Sequence, residues 1–535
     1  MHTKSVYIVL GGGYNEYKVL MKGGESLGKY LMGLDNGGTV TKCGIYSLDG
    51  QEICVASKEP KLFTPKPDFT EREGAEVLAV NYEVIREALK LAEEEVGMRP
   101  EQIACIGLTG YGNGICLVDN KGTLTRNAIV STDDRGTEMV AYYREKGIEK
   151  EVYNYTRQTM WSAMVSSLLS WLCRYEREVV ESSAYVLGIK DYIRYHLTGE
   201  FQMEFTEASS SGLMNVTTHR FESEVFRLLE IPQCEVLMPE IVGCDEVSGY
   251  ITEEAARKTG LSVGTPVAGG CFDVDGAMLA SGILDEQTLC MVAGTWSINE
   301  YLSPEWNWGY RKTTNSVSLS YLPGYYLVEE STPTSSSNLA WFVEEFIKVD
   351  RKDCSQEELY AYCNEAAQRI KPEESEVIFV PYLFSSATHP DGKGSFLNLA
   401  GSHTREHLIR AIYEGVVFSS ARHVKMLKAG NREFALARLS GGLTKSEVWT
   451  QMMSDVLNLP VEVIKVEELS ALGAAMCGGV AAGIFENYRE AIEKMVEVEK
   501  CYEPNPEVSE IYKRKFARYE QALRAIDYFC EEALL

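Results

Sequence analysis

Gly33-Leu34-Asp35-Asn36-Gly37-Gly38-Thr39 is the stretch on which the fold turns. The apolar run that leads into it, Tyr30-Leu31-Met32-Gly33-Leu34, reads as a buried strand. That strand ends on one carboxylate, Asp35, and passes straight into the turn Asn36-Gly37-Gly38. Residues 39–47 again read as a strand, so the segment is a hairpin. Glycines there let backbone N–H groups approach an anion closely, whereas Asp35 repels that anion unless a cation sits between them. An acid at a strand end beside a glycine turn therefore suggests a site for a magnesium-bound nucleotide. The alternative is an Asn-Gly hairpin whose aspartate caps the turn, and the rest of the chain has to decide.

Working outward, Asp49-Gly50 marks the next turn and residues 52–57 a third strand. Residues 77–96 place Val80, Val84, Ala88, Leu91 and Ala92 at helical spacing. Residues 103–109 read as a buried strand ending at Gly110-Tyr111-Gly112-Asn113-Gly114, with a short apolar stretch at 115–118. Three strands, a helix and a strand is the order of a ribonuclease-H-like half-domain. The start recurs: residues 288–292 form an apolar strand, Ala293-Gly294-Thr295 a glycine turn without an acid, and 296–302 a return strand. The expected fold class is thus α/β, with two ribonuclease-H-like domains of actin or hexokinase type flanking a cleft that carries a phosphate-holding hairpin on each wall. Just before the second start, a short strand at 266–268 runs into Gly269-Gly270-Cys271-Phe272-Asp273, placing a second acid after a glycine pair. The expected division is an extension over 1–29, one domain over 30–284 and another over 285–535. In the latter, helical patterns occupy 404–427, 446–457 and 507–529, a strand at 436–440 ends on Gly441-Gly442, and residues 471–475 open a small-residue helix that can pack closely.

Composition narrows the classes. The 535 residues exceed one core, and 45% hydrophobic with 24% charged residues is ordinary for a globular protein. A net charge of −26 argues against nucleic acid or an anionic membrane as the main partner. A nucleotide enzyme can still be acidic if Mg²⁺ and backbone dipoles neutralise its cleft. The 14 cysteines form no Cys-x-x-Cys pair and the 7 histidines are dispersed, so no zinc site is indicated. Cys105, Cys116, Cys173 and Cys290 lie in apolar runs and read as buried free thiols, which suits a reducing cytoplasm. No apolar run approaches the length of a membrane span. Residues 1–29 lack the pattern of a signal peptide, and much of them is expected outside the fold. Lys22-Gly23-Gly24-Glu25 reads as a translated purine tract with the start near Leu27, an idea that an intact mass including Met1 would sink.

From residue 29 onward the pattern resembles the FGGY carbohydrate kinases. The first hairpin is similar to that family's first phosphate motif and Gly294-Thr295 to its second. Ser131-Thr132-Asp133-Asp134-Arg135 stands where members often read Trp-x-Asp-x-Arg. Asp191-Tyr192, Leu197-Thr198-Gly199 and Thr206-Glu207-Ala208-Ser209 resemble the run Asp-Tyr, Leu-Thr-Gly, Thr-Asp-x-Ser. Arg410 to Gly415 and Gly441 to Gln451 resemble the C-terminal signature and the adenosine motif. Within the family a closer likeness is to bacterial L-xylulose kinases. It rests on Tyr155-Thr156-Arg157-Gln158-Thr159-Met160-Trp161, Gly270-Cys271-Phe272-Asp273-Val274, and Glu330 to Ser336 with Asn338 and Trp341.

The resemblance implies an ATP-dependent kinase for a ketopentose such as L-xylulose, with Mg²⁺ on Asp35 and Asp273 as the base that takes the sugar hydroxyl's proton. It assigns sugar and phosphate to 30–284 and adenosine to 285–535. Gly37, Gly38, Thr39, Gly294 and Thr295 would cradle the β- and γ-phosphates, with Lys42 either a further contact or a solvated strand lysine. Gly441 and Gly442 would approach adenosine, with Ser446 and residues 471–475 lining that pocket. Asp275 competes with Asp273 if the segment is still extended, and both could instead be turn or N-cap aspartates. Asn113, Asp133, Trp161 and Asn338 are candidate sugar contacts; the alternatives are loop residues satisfied by backbone and a half-buried core tryptophan. Where glycerol kinases carry Arg-Glu and D-xylulose kinases Met-His, this chain has Gly112-Asn113. Another ketose, a polyol or a sugar acid is the alternative substrate, and a non-catalytic sugar or nucleotide sensor the alternative function. The expected partner is a small sugar, with a homodimer left open.

Overall fold

The computed structural model describes residues 28–294, 296–306, 316–332, 334–384, 391–428 and 432–532. Most of the expected extension, residues 1–27, and Thr295 lie outside them. Lys29 N–H donates to the Gln102 carbonyl at 2.8 Å.

Two mixed sheets carry the chain. Across the first, the strands run Val247–Tyr250, Pro266–Ala268, Ile103–Gly110, Tyr30–Asn36, Thr41–Ser47, Glu52–Lys58. Across the second they run Ser316–Leu319, Tyr326–Thr332, Ser297–Ser303, Thr288–Ala293, Leu436–Ser440, Val461–Ile464, Val498–Tyr502. In both, an antiparallel three-strand meander joins two further strands running parallel to its first. This duplicated order is the expected fold class.

The central strands are buried on both faces, which explains why Tyr30–Asn36 and Ile103–Gly110 read as unbroken apolar runs rather than alternating ones. The helix expected at 77–96 begins earlier, as Gly74–Val96, and ends where Gly97 adopts φ +66 and returns its N–H to Ala92 and Glu93. Of the four thiols expected to be buried, Cys105, Cys116 and Cys290 are, while Cys173 is half-buried. Among the described residues no helix is long and apolar enough to cross a membrane.

The small-residue helix, Leu469–Ala481, packs against the first sheet. A Cβ on Gly33 would lie 1.8 Å from the Ala471 carbonyl oxygen, and one on Gly107 1.7 Å from that of Ala474. The same helix meets the Asp273–Ala280 helix, where a Cβ on Gly473 would lie 2.0 Å from the Gly276 carbonyl oxygen. Ala471, Leu472, Ala474 and Ala475 are consequently buried.

Candidate active site

Asp35 ends the central strand of the first sheet, opposite Lys42 in the hairpin register. It is 9% exposed, and its Oδ1 has no hydrogen-bond partner. Burial pushes its carboxyl up to about 7, against the pull of Lys42, while Glu468 pushes it further up. Lys42 itself is half-buried, and its Nζ pairs with Glu468 at 2.5 Å. At the turn, the Arg72 guanidinium donates to the Gly38 carbonyl at 2.6 Å. A Cβ on Gly37 would meet the Val40 carbonyl oxygen at 2.8 Å, whereas one on Gly38 would meet nothing within 4 Å.

Asp273 is the first residue of the Asp273–Ala280 helix. Burial holds its carboxyl well above the ordinary range, and the charges of Asp35, Glu207 and Glu329 push the same way. The two acids of this segment therefore part company. The chain has already turned helical at Asp273, so Asp275 is rotated about 200° from it rather than sharing a face. Asp275 is fully buried and accepts the Tyr321 N–H at 2.9 Å, tying the helix to the second sheet.

The entry to that helix is fixed from behind. Phe272 N–H donates to the Thr206 hydroxyl at 2.9 Å, which donates on to Glu204 at 2.8 Å. Glu204, Glu207 and Asp191 surround the buried ammonium of Lys190 at 3.2, 3.6 and 3.4 Å. Glu207 also accepts the Asn113 N–H at 2.9 Å, and burial pushes its carboxyl up to about 7 against the pull of Lys190. Asn113, at φ +64, thus sits on the same cluster as Asp273. The Phe272 ring fills the space a side chain at Gly112 would need, since a Cβ there would come within 2.1 Å of it.

On the second hairpin, Gly294 N–H donates to the Trp296 carbonyl at 3.0 Å, and the Ser336 N–H and hydroxyl donate to the Gly294 carbonyl at 3.2 and 2.5 Å. The space beyond Gly294 is open. Gly441, at φ +91, lies against this hairpin: a Cβ there would come within 2.8 Å of the Ala293 carbonyl group, while the space beyond Gly442 is open. Ser446 caps the Glu447–Leu457 helix by accepting the Trp449 N–H at 3.2 Å and donates to Asn364 at 2.6 Å, so its hydroxyl is engaged inside the domain.

The expected sugar contacts differ in burial and in what they bond. Trp161 is 37% exposed and free to offer a ring face. Asp133 is fully buried and clamps Arg135, at 2.8 Å from each carboxylate oxygen, as well as the Thr70 N–H at 2.6 Å. Asn338 is fully buried and donates to Thr334 and the Ser335 carbonyl, both at 2.8 Å. Trp341 packs edge-on to Phe346. Arg72 and Glu468 carry no sequence signal of their own, because each partner lies far off in the chain, and Glu204 stands just outside the motif whose Thr206 it bonds. Glu207 falls within a motif, but the motif does not disclose Asn113 as its partner.

Residues 30–280 match the N-terminal domain of the FGGY family of carbohydrate kinases, and residues 289–482 match its C-terminal domain. The chain belongs to the FGGY family. It is a carbohydrate kinase, 33% identical to the L-xylulose/3-keto-L-gulonate kinase of Escherichia coli (strain K12) over 94% of this chain and 98% of that protein. It is 32% identical to a probable L-xylulose kinase of Pasteurella multocida (strain Pm70) over 93% and 99%. Among solved structures, the xylulose kinase from Rhodospirillum rubrum superposes with a TM-score of 0.82 at 27% identity, covering 94% of this chain and 99% of that one.

Proposed function

We propose that this kinase moves the γ-phosphate of ATP directly to a hydroxyl of a small ketose, L-xylulose being the substrate its relatives favour. The observation that carries the reading is the pairing of Asp273 with Asp35: two acids on different elements, both shifted upward by burial, with the charge of Asp35 pushing Asp273 further up, beside an open glycine turn. Asp35 suits Mg²⁺, because its buried Oδ1 has no other partner. A Mg²⁺ ion there would offset the charge on the phosphates. Gly37, Gly38, Thr39 and Gly294 supply backbone at the phosphates, with Thr295 expected beside them. Gly441 and Gly442 approach adenosine. We assign sugar and phosphate to residues 30–284 and adenosine to 285–535.

Asp273 accepts the proton of the attacking hydroxyl. An aspartate raised well above its usual range holds that proton better, which is what a base for an alcohol requires. Asn113 and Trp161 are the sugar contacts we favour: the first for its place on the Asp273 cluster, the second for its exposed ring. Asp133, Asn338 and Ser446 support the site from inside, and Lys42 acts through Glu468. A sugar acid is the second reading, supported by the printed dual name of the Escherichia coli relative.

ADP release across a panel of ketopentoses, polyols and hexulosonates tests the substrate, with the phosphate's position in the product read by NMR. Asp273→Asn should lower kcat by 10³-fold or more, on the order of 4 kcal/mol, while ADP binding stays within about twofold. Normal turnover by that variant would remove Asp273 as base. Tight sugar binding without ADP release in the wild type would make the chain a sensor.

A further inference from the structure

Arg72 lies on a two-residue strand, Glu71–Arg72, paired with Ala128–Ile129, and is 1% exposed. Its guanidinium reaches the back of the first hairpin. One terminal nitrogen donates to the Gly38 carbonyl at 2.6 Å, and the two approach the Gly37 carbonyl at 3.4 and 3.5 Å. The group lies over the Tyr111 ring at 5.4 Å, and its buried Nε has no partner. Among the described residues no carboxylate forms an ion pair with it. The adjacent Glu71 serves Arg126 and Arg135 instead.

Two consequences follow from elementary geometry and charge. In a trans peptide the carbonyl and the next N–H point in opposite directions. Holding the Gly37 and Gly38 carbonyls on Arg72 therefore turns the N–H groups of Gly38 and Thr39 away from it, and a side chain at Gly38 would meet nothing within 4 Å. A buried cation without a counter-ion is also costly, and an anion on the far side of those aligned peptides offsets that cost.

We propose that Arg72 is a positioning residue of the phosphate cradle, orienting two peptides toward the nucleotide's terminal phosphates and supplying buried positive charge behind them. The inference rests on the first hairpin being a nucleotide-phosphate site. Lysine cannot replace it, because a single ammonium lacks the planar fork that reaches two carbonyls.

Calorimetric titration of wild type, Arg72→Gln and Arg72→Lys with adenosine, ADP and the β,γ-imido analogue of ATP, each with Mg²⁺, tests it. Arg72→Gln should weaken the triphosphate at least tenfold while adenosine changes less than twofold, with Arg72→Lys between. In turnover, KM for ATP should rise with KM for the sugar unchanged. A merely structural arginine would weaken all three ligands alike or none, and either result overturns the proposal. If Arg72→Gln fails to fold, Arg72→Lys decides by the same ratio of triphosphate to adenosine. A wild type that gains nothing from the phosphates overturns the reading of the hairpin itself, and this role with it.

Discussion

At the scale of single residues, the acids of the cleft oppose stability to function. Asp35 is held at about 7 in the fold against an ordinary 3.8, so the folded state keeps a proton that the unfolded chain has lost between about pH 4 and 7. Stability therefore falls as pH climbs through that window, and the full penalty applies above 7. Asp35→Asn carries no such penalty. It should unfold at the same temperature as wild type near pH 4 and melt about 2–4 °C higher at pH 8, while losing turnover. Equal melting temperatures at both pH values would show that Asp35 is not desolvated. An acid beside a glycine turn is a local pattern that draws notice to Asp35 and Asp273, but the roles expected of them come from the family resemblance and the other motifs. Asn113 was legible as a residue of interest but not as a backbone donor to Glu207, which lies 94 positions away. The choice between Asp273 and Asp275 turned on whether the segment is extended or helical, and one residue of boundary reverses the answer.

At the scale of elements, close packing separates glycines that hold the fold from glycines that face the cleft. Gly33 and Gly107 let the Leu469–Ala481 helix touch the first sheet backbone to backbone. Gly33→Ala would drive a methyl into the Ala471 carbonyl and should cost about 3 kcal/mol in urea unfolding. Gly38→Ala has open space and no positive φ to strain, so its stability should stay within about 0.5 kcal/mol of wild type. Its effect should fall on KM for ATP, raised roughly tenfold, or about 1.4 kcal/mol, by a methyl in the cradle. The reverse pattern, a stable Gly33→Ala and an unfolded Gly38→Ala, would invert these roles. Small residues at 471–475 announced a close approach, yet nothing local could say to which surface. That surface is the first sheet together with the Asp273–Ala280 helix.

At the scale of the whole molecule, the N-terminal half meets the edge of the second sheet through a few polar contacts, in addition to the close-packed Leu469–Ala481 helix. Gln158, 3% exposed, donates to the Val317 carbonyl at 2.8 Å and accepts the Ser316 hydroxyl at 2.7 Å. Leu319 N–H donates to Ser209 at 2.9 Å, and Arg157 lies over the Trp306 ring at 3.4 Å. These contacts tie the stretch that ends at Trp161 to an edge strand of the second sheet, so they favour the closed arrangement in which acceptor and donor meet. The repeated strand order was readable from two hairpins of like layout, whereas these contacts pair residues on average far apart in the chain and leave no periodic trace. Gln158→Leu keeps the volume but breaks both bonds and strands their partners, at a cost of about 2 kcal/mol to the closed form. The ligand-free variant should have a larger radius of gyration by solution scattering than wild type. Sugar must then restore closure from its own binding energy, so KM for the sugar should rise at least tenfold. On the role proposed for Asp273, the bound sugar still meets its base and kcat should change less than threefold. Unchanged scattering and KM would mean that closure does not depend on this contact, and a fall in kcat alone would place Gln158 in the chemistry rather than in the hinge between the lobes.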